Sequence, residues 1–391
     1  VMPVSAAGTQ AAAAMPLIDM HLHDHAPVPP PLREQVAVTV LSVTTREGFR
    51  EDTGLAGTVL RGPAFPCHEG RIRNEAPCFP ESAGWPDIEW LRGEHAAGRL
   101  HSLGELLYVY EGIDPADPRL APYFALAEEL DLPVGVHVGR GPPPDRRPPG
   151  CCPAFDDDLG NPLRLAPVLQ RHPRLRLYLM HAPGWDYVDE TITLMQAWPG
   201  VYAEASIMNS VMPPEAHAEA VRKLFEAELG HRLMLGSDNV PLDRIVARIQ
   251  ALDFLDDAQK RGILHDNAAR FLRLPDPAGR FAHRFARSGD ARIHYLDFGG
   301  EGDGVPLVFL QSFHGDALEW VGYDAVGFAP RFAGDRRVLA VTRRGWGASS
   351  DTGGGYVLAL PIPGTAPRGV WRLDMLADLE AAPLGSRTFL V

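Results

Sequence analysis

The fold is decided by Ile18-Asp19-Met20-His21-Leu22-His23, an apolar run that ends in two histidines spaced by two. Period two along an extended chain places both imidazoles on one face. Two imidazoles on one face can hold one divalent ion. Alone, the pair says little. With 15 histidines in 391 residues, about 0.6 such pairs arise by chance. What surrounds the pair gives it weight.

Outward from Leu17–His23 the signals alternate between strand and helix. Strands are expected at Val36 to Val43, Thr58 to Phe65, Leu103 to Tyr110, Pro133 to Val138, Leu175 to Met180, Val201 to Ile207 and Arg232 to Leu235. Helices are expected to end near Gly98 and to run over Leu120 to Leu130, Leu163 to Gln170, Val188 to Ala197, Pro214 to Leu229 and Asp256 to Leu272. That is close to eight β/α units in about 260 residues, the size of a closed barrel. After Pro275-Asp276-Pro277 the pattern restarts. Strands are expected at Ala291 to Phe298, Val305 to Leu310, Arg337 to Thr342 and Thr388 to Val391, with helices over about 315–332 and Trp371 to Ala381. The expected class is α/β: a leader over 1–15, a (β/α)₈ TIM-like barrel over 16–278 and a second sheet domain over 279–391.

Composition narrows the partners. A formal net charge of −13 argues against nucleic acid or an anionic membrane surface. Apolar residues make up 45%, enough for a sizeable core. No apolar run reaches the length of a membrane-spanning helix. The Ala-rich start reads as a disordered leader or the remnant of an export signal, which leaves localisation open between cytoplasmic and exported. Cys67, Cys78, Cys151 and Cys152 fit no zinc spacing, and a chain this long does not need a disulfide framework. They are read as structural or incidental.

Three more residues occupy the same kind of place as the histidine pair. His137 ends PVGVHVG, His181 ends LRLYLMHA and Asp238 ends RLMLGSD. Each follows an apolar strand and precedes a turn. Active sites of such barrels sit at the C-terminal ends of the strands, so four histidines and an aspartate would meet there.

These residues carry a resemblance. Residues 16–275 resemble the amidohydrolase superfamily, specifically its amidohydrolase-2 branch. The matching pieces are IDMHLH (18–23), GEL (104–106), IDPADPRLAPYFALAEELDLPVGVHVG (113–139), HPRLRLYLMHA (172–182), LGSD (235–238) and ILHDNAARFLRL (263–274). The resemblance implies metal ligation by His21, His23 and His137. It implies that Asp238 touches the metal and takes a proton from its water. It implies that His181 ligates a second metal or assists catalysis. Glu105 falls where some members place a bridging carboxylate; as a residue on its own it reads equally as a hydrogen-bonded strand glutamate.

The implied chemistry is that of a divalent ion, Zn²⁺ first with Mn²⁺ or Fe²⁺ as alternatives, which acidifies bound water and polarises a carbonyl. Asp238 would be the general base, and His181 would stabilise an oxyanion or donate a proton. The expected activity is hydrolysis of a C–N or C–O bond in a small molecule. The alternatives are a metal-dependent non-oxidative decarboxylase of the same superfamily, or a non-catalytic barrel joined to an interaction module. Arg140, Arg146 and Arg147 lie in a Pro-rich loop that would rim the pocket, as solvated residues or as receivers of a substrate carboxylate. His68 and Glu69 sit in a segment with poor strand signal and read as loop residues. An oligomer is possible and is not readable.

Residues 281–391 resemble the start of an α/β-hydrolase domain through IHYLDFGG (293–300), VPLVFLQSF (305–313), LAVTRRGWGASS (339–350) and LGSRTFLV (384–391). The nucleophile elbow, G-x-S-x-G, would follow the last of these. No such motif occurs in 281–391, and Gln311-Ser312 stands where His-Gly is usual. The expectation is an incomplete domain without serine-hydrolase activity, in which His314 and Ser349 are turn residues.

Overall fold

Buried strands of parallel sheets read as nearly continuous apolar runs, and most of the barrel strands do so. LIDMHLH forms β1 (Leu17–His23) and VAVTVLSV forms β2 (Val36–Val43). The computed structural model describes residues 16–24, 35–67, 77–141, 152–184, 186–207, 211–238, 240–274, 281–288, 291–300, 305–310, 329–333, 336–342, 370–375 and 385–390, with the single positions 317, 320 and 349. The chain divides into two compact units, one ending at Leu272 and the other beginning at Arg273.

In the first unit, β1, β2 and β3 (Thr58–Pro63) form one parallel sheet. A second parallel sheet runs in chain order through β4 (Leu103–Leu106), β5 (Pro133–His137), β6 (Arg176–Met180), β7 (Val201–Glu204) and β8 (Leu233–Met234). Bridges between Phe65 and Leu106 and between Leu22 and Asp238 join the two sheets. Hydrogen bonds from Met20 N to Leu235 O (2.9 Å) and from Phe65 N to Glu105 O (3.0 Å) reinforce the seams. Eight parallel strands thus close on themselves, as a TIM-type barrel requires. Gly104 makes one close approach possible: its φ is +136°, and a Cβ there would run into the backbone of Gly135 on β5.

Most of the helices bury the stripes that their spacing dictates. They are α1 (Ile88–Ala96), α2 (Ala121–Leu130), α3 (Ala166–Arg171), α4 (Val188–Ala197), α5 (Pro214–Glu226), α6 (Leu242–Gln250), α7 (Asp257–Arg261) and α8 (Asn267–Phe271). Asp256 starts α7 with a reciprocal capping box to Gln259. A π-helical turn, Gly262–Asp266, joins α7 to α8. The helix α6 was not anticipated, although Leu242, Ile245 and Ile249 are spaced for it and are buried.

Several expected elements are shorter than their apolar runs. The run from Leu103 to Tyr110 is a strand only to Leu106. Leu107 N donates to Phe65 O (2.7 Å), and a 3₁₀ turn over Tyr108–Glu111 follows. The run from Val201 to Ile207 stops at Glu204, because Ser206 N donates to the Glu204 side chain instead of to a neighbouring strand. Cys67 and Cys78 are joined in a disulfide that the cysteine spacing did not reveal.

The second unit contains a four-stranded sheet in the order β11-β12-β10-β9. Its strands are β9 (Ala282–Ser288), β10 (Ala291–Asp297), β11 (Leu307–Leu310) and β12 (Val338–Val341). β9, β10 and β12 pair antiparallel, and β11 runs parallel to β12. Val338 and Ala340 enter one apolar cluster, and Leu339 and Val341 enter another, the period-two alternation of a sheet covered on both faces. β13 (Val370–Met375) and β14 (Gly385–Leu390) form an antiparallel pair. This corrects the expected helix at Trp371 to Ala381. Trp371-Arg372-Leu373-Asp374-Met375 also alternates, and pairing with β14 supplies backbone partners that short-range periodicity does not reveal. The expected helix over 315–332 falls mostly outside the described residues, where only a 3₁₀ turn, Ala329–Phe332, is described.

Candidate functional site

Six side chains meet at the C-terminal ends of the barrel strands, from β1 (His21, His23), β4 (Glu105), β5 (His137) and the turns after β6 (His181) and β8 (Asp238). All six are buried. Their donor atoms fall into two groups, His21, His23 and Asp238 in one and Glu105, His137 and His181 in the other. The atoms within each group lie within 4.8 Å of one another.

Glu105 reaches both groups. Its Oε1 is 2.7 Å from His137 Nδ1 and 3.1 Å from His181 Nε2. Its Oε2 is 3.0 Å from His23 Nε2 and 3.5 Å from His21 Nε2. Asp238 Oδ1 lies 3.4 Å from His23 Nε2 and 4.0 Å from His21 Nε2. His21 Nε2 and His23 Nε2 are themselves 3.2 Å apart. Imidazole nitrogens aimed at one another and at two carboxylates suit a divalent cation between them. His181 and Asp238 both adopt left-handed backbone, with φ of 62° and 53°, a conformation that non-glycine residues hold mainly where the surroundings enforce it. For Asp238 the enforcement is visible, since its N–H donates to His21 O at 2.6 Å.

The charges act on one another. Burial alone would push His21 down, but Asp238, Glu105 and Glu204 hold its imidazole well above the usual range. Burial raises Glu105, and the surrounding histidines outweigh it, keeping the carboxyl well below its usual range. His137 is pushed down by burial, which Glu105 only partly offsets. His181, buried as well, is raised by its hydrogen bond to Glu105.

All six residues singled out in the sequence are therefore brought together. Four supporting residues were not singled out. Asp19 accepts from Ser237 N (2.8 Å), Ser237 Oγ (2.5 Å) and His21 N (3.2 Å), tying β1 to the turn after β8. Burial pushes its carboxyl up to about 6. Glu204 and Ser206, at and just after the end of β7, contact the Nδ1 atoms of His21 and His181. A signal for Glu204 was present, since it ends VYAE just as His137 ends its strand. Nothing local marks Ser206.

Beside His137, Tyr110 and Phe155 stack edge-on in sequence, with ring centroids 4.9 and 5.0 Å apart. Arg140 is held by a hydrogen bond to Tyr187 and by the nearby Asp186. Arg146, Arg147, His68 and Glu69 lie outside the described residues.

Residues 87–274 match the family model described as Amidohydrolase. That span contains Glu105, His137, His181 and Asp238, while His21 and His23 precede it. No curated protein matches the chain. Among solved structures, the chain is similar to a probable 2-pyrone-4,6-dicarboxylic acid hydrolase from Acinetobacter baumannii, at 13% identity and a TM-score of 0.45, over 66% of this chain and 100% of that one. It is also similar to a dihydroorotase from Campylobacter jejuni, at 14% identity and 0.43, over 73% and 89%. A third is a 2,6-dihydroxybenzoate decarboxylase from Rhizobium, at 15% identity and 0.39, over 67% and 100%. The similarity to this family model thus runs from the start of α1 to just past the end of α8.

Proposed function

We propose that the barrel hydrolyses a C–N or C–O bond of a small molecule, using divalent metal held by His21, His23, Glu105, His137, His181 and Asp238. The observation that carries this reading is the position of Glu105, with one carboxylate oxygen on each donor group. His21, His23 and Asp238 would hold divalent metal on one side of Glu105, and His137 and His181 would do so on the other. Bound metal supplies Lewis acidity and lowers the pKa of water. Zn²⁺ is the expected ion, and Mn²⁺ or Fe²⁺ would accept the same donors.

The chain's own residues do the rest. Asp238, anchored through its N–H to His21 O, accepts the proton of the attacking water on its carboxylate and delivers it to the leaving group. His181 serves better as a donor than as a proton carrier, since both of its ring nitrogens are engaged, Nε2 by Glu105 and Nδ1 by Ser206. Tyr110 and Phe155 give the His137 side of the site an apolar wall.

The test is metal analysis of the wild type beside His21→Ala and Glu105→Gln, followed by product analysis on amide, ester and aryl-carboxylate panels. Unchanged metal content in His21→Ala would sink the site. Release of CO₂ in place of an amine or alcohol would replace hydrolysis by decarboxylation.

For the second unit we propose the beginning of an α/β-hydrolase-type sheet. What supports it is the strand order β9-β10-β12-β11, with β11 parallel to β12. The test is an experimental structure of the full chain, in which an antiparallel β11–β12 pair would refute this reading.

A further inference from the structure

We infer that Ser206 and Glu204 are positioning residues that set the ring orientation of one histidine in each donor group, by committing a single hydroxyl proton. The inference rests on the metal-site reading above and adds how its two halves are held together.

Ser206 Oγ lies 2.9 Å from Glu204 Oε2, 3.1 Å from His21 Nδ1 and 3.1 Å from His181 Nδ1. Glu204 Oε2 is also 3.2 Å from His21 Nδ1. Glu204, Ser206 and His21 are fully buried, and His181 is nearly so. A hydroxyl carries one proton and two lone pairs, and an ionised carboxylate can only accept. The proton of Ser206 therefore goes to Glu204. Its two lone pairs are then left for His21 and His181, and each of those rings must present Nδ1–H. That leaves the Nε2 of both rings directed at the Glu105 and Asp238 side of the site.

His137 marks the contrast. It turns Nδ1 towards Glu105, and its Nε2 has no hydrogen-bond partner among the described residues. The orientation of His21 and His181 is thus not a general property of strand-end histidines here. It follows from β7. The space for Glu204 is also built in: a Cβ at Gly236 would collide with the Glu204 carboxylate. Hydrogen bonds to the second nitrogen of a ligating imidazole fix its orientation and typically change metal affinity 10- to 100-fold.

The experiment uses the full chain with Ser206→Ala and, as an independent perturbation that alters neither imidazole, Gly236→Ala. Zinc affinity is read by chelator competition. Hydrogen-bonded Nδ1–H protons are read by NMR of ¹⁵N-histidine-labelled, metal-free protein, and thermal melting of that protein controls for folding. The expected result for Ser206→Ala is a 10- to 100-fold loss of zinc affinity with little change in melting. The His181 Nδ1–H signal should be lost while the His21 signal, still facing Glu204, persists. Gly236→Ala should weaken zinc binding in the same direction. Unchanged affinity and an unchanged His181 signal in Ser206→Ala overturn the inference. A wild-type chain that takes up no zinc overturns the metal-site reading instead, while the two proton signals still decide this one.

Discussion

His21 in the barrel and His294 in the second unit are both fully buried on strands, yet their partners differ in kind. His21 has Glu204 and Ser206 at Nδ1, and its Nε2 faces His23, Glu105 and Asp238. His294 sits in the middle of β10. Its Nδ1 is 2.9 Å from Thr342 Oγ1 and its Nε2 is 2.9 Å from His283 Nδ1. A hydroxyl and a second imidazole satisfy a neutral ring by hydrogen bonding alone. Imidazoles converging with several carboxylates leave excess negative charge that a cation would balance. Burial of a histidine therefore says little; the charge of its neighbours and its place along the strand separate a site from a packed core. His217 on α5 is a third case, buried with no hydrogen-bond partner for either ring nitrogen among the described residues.

The largest test of this contrast is Asp238→Asn. If the barrel group is chemical, kcat on any hydrolysable substrate should fall about 10²- to 10⁴-fold, with metal still detectable. Wild-type turnover would remove Asp238 from the role of base. Thr342→Phe or Thr342→Val in the second unit should leave metal content and turnover untouched, and a change in either would blur the distinction between the units.

The next effect concerns acid stability. Burial, reinforced by Arg248, pushes His217 down to about 4 from an ordinary 6.5. The unfolded chain then binds the extra proton first. Stability on this account is complete above about 6.5, falls as the pH drops through the window from 6.5 to 4, and is lost below it. His217→Phe should remove a loss of about 3 kcal/mol across that window, read by denaturant unfolding at pH 7 and pH 4. Equal pH dependence in variant and wild type would show that His217 is not held neutral.

A smaller effect is expected for Thr342→Val on stability. Its Oγ1 serves both His294 and the N–H of Ala317, so deleting it should cost about 1–3 kcal/mol through buried groups left unpaired. The smallest is Arg92→Ala. Arg92 meets Glu129 with two hydrogen bonds on the surface, and an exposed, solvent-screened pair of this kind should leave the melting temperature almost unchanged. A loss there as large as that of Thr342→Val would mean that surface pairs rival the buried networks on which the comparison is drawn.

Much of the first unit was legible in the linear chain. Apolar runs of strand length alternate with amphipathic stretches, and a parallel barrel buries its strands on both faces, so both signals survive in the sequence. His21, His23, His137, His181 and Asp238 could be found because barrel geometry places strand ends together. Glu105 was ambiguous for a physical reason: a glutamate on a strand becomes a shared carboxylate only if histidines from β1, β5 and β6 arrive around it. The strand at 370–375 was misread because its residues satisfy two periods, and only its partner strand decides between them.

The residues of Ile18-Asp19-Met20-His21-Leu22-His23 by themselves determined a buried strand with two imidazoles in alternation, and the runs that follow determined a barrel to carry it. Tertiary structure alone decided what those imidazoles face. Ser206, 185 residues from His21 in the chain, and Ser237, 218 residues from Asp19, have no local signature. Their roles exist because closing the barrel brings β7 and β8 beside β1, and hydrogen bonds depend on distance in space, which sequence separation does not encode.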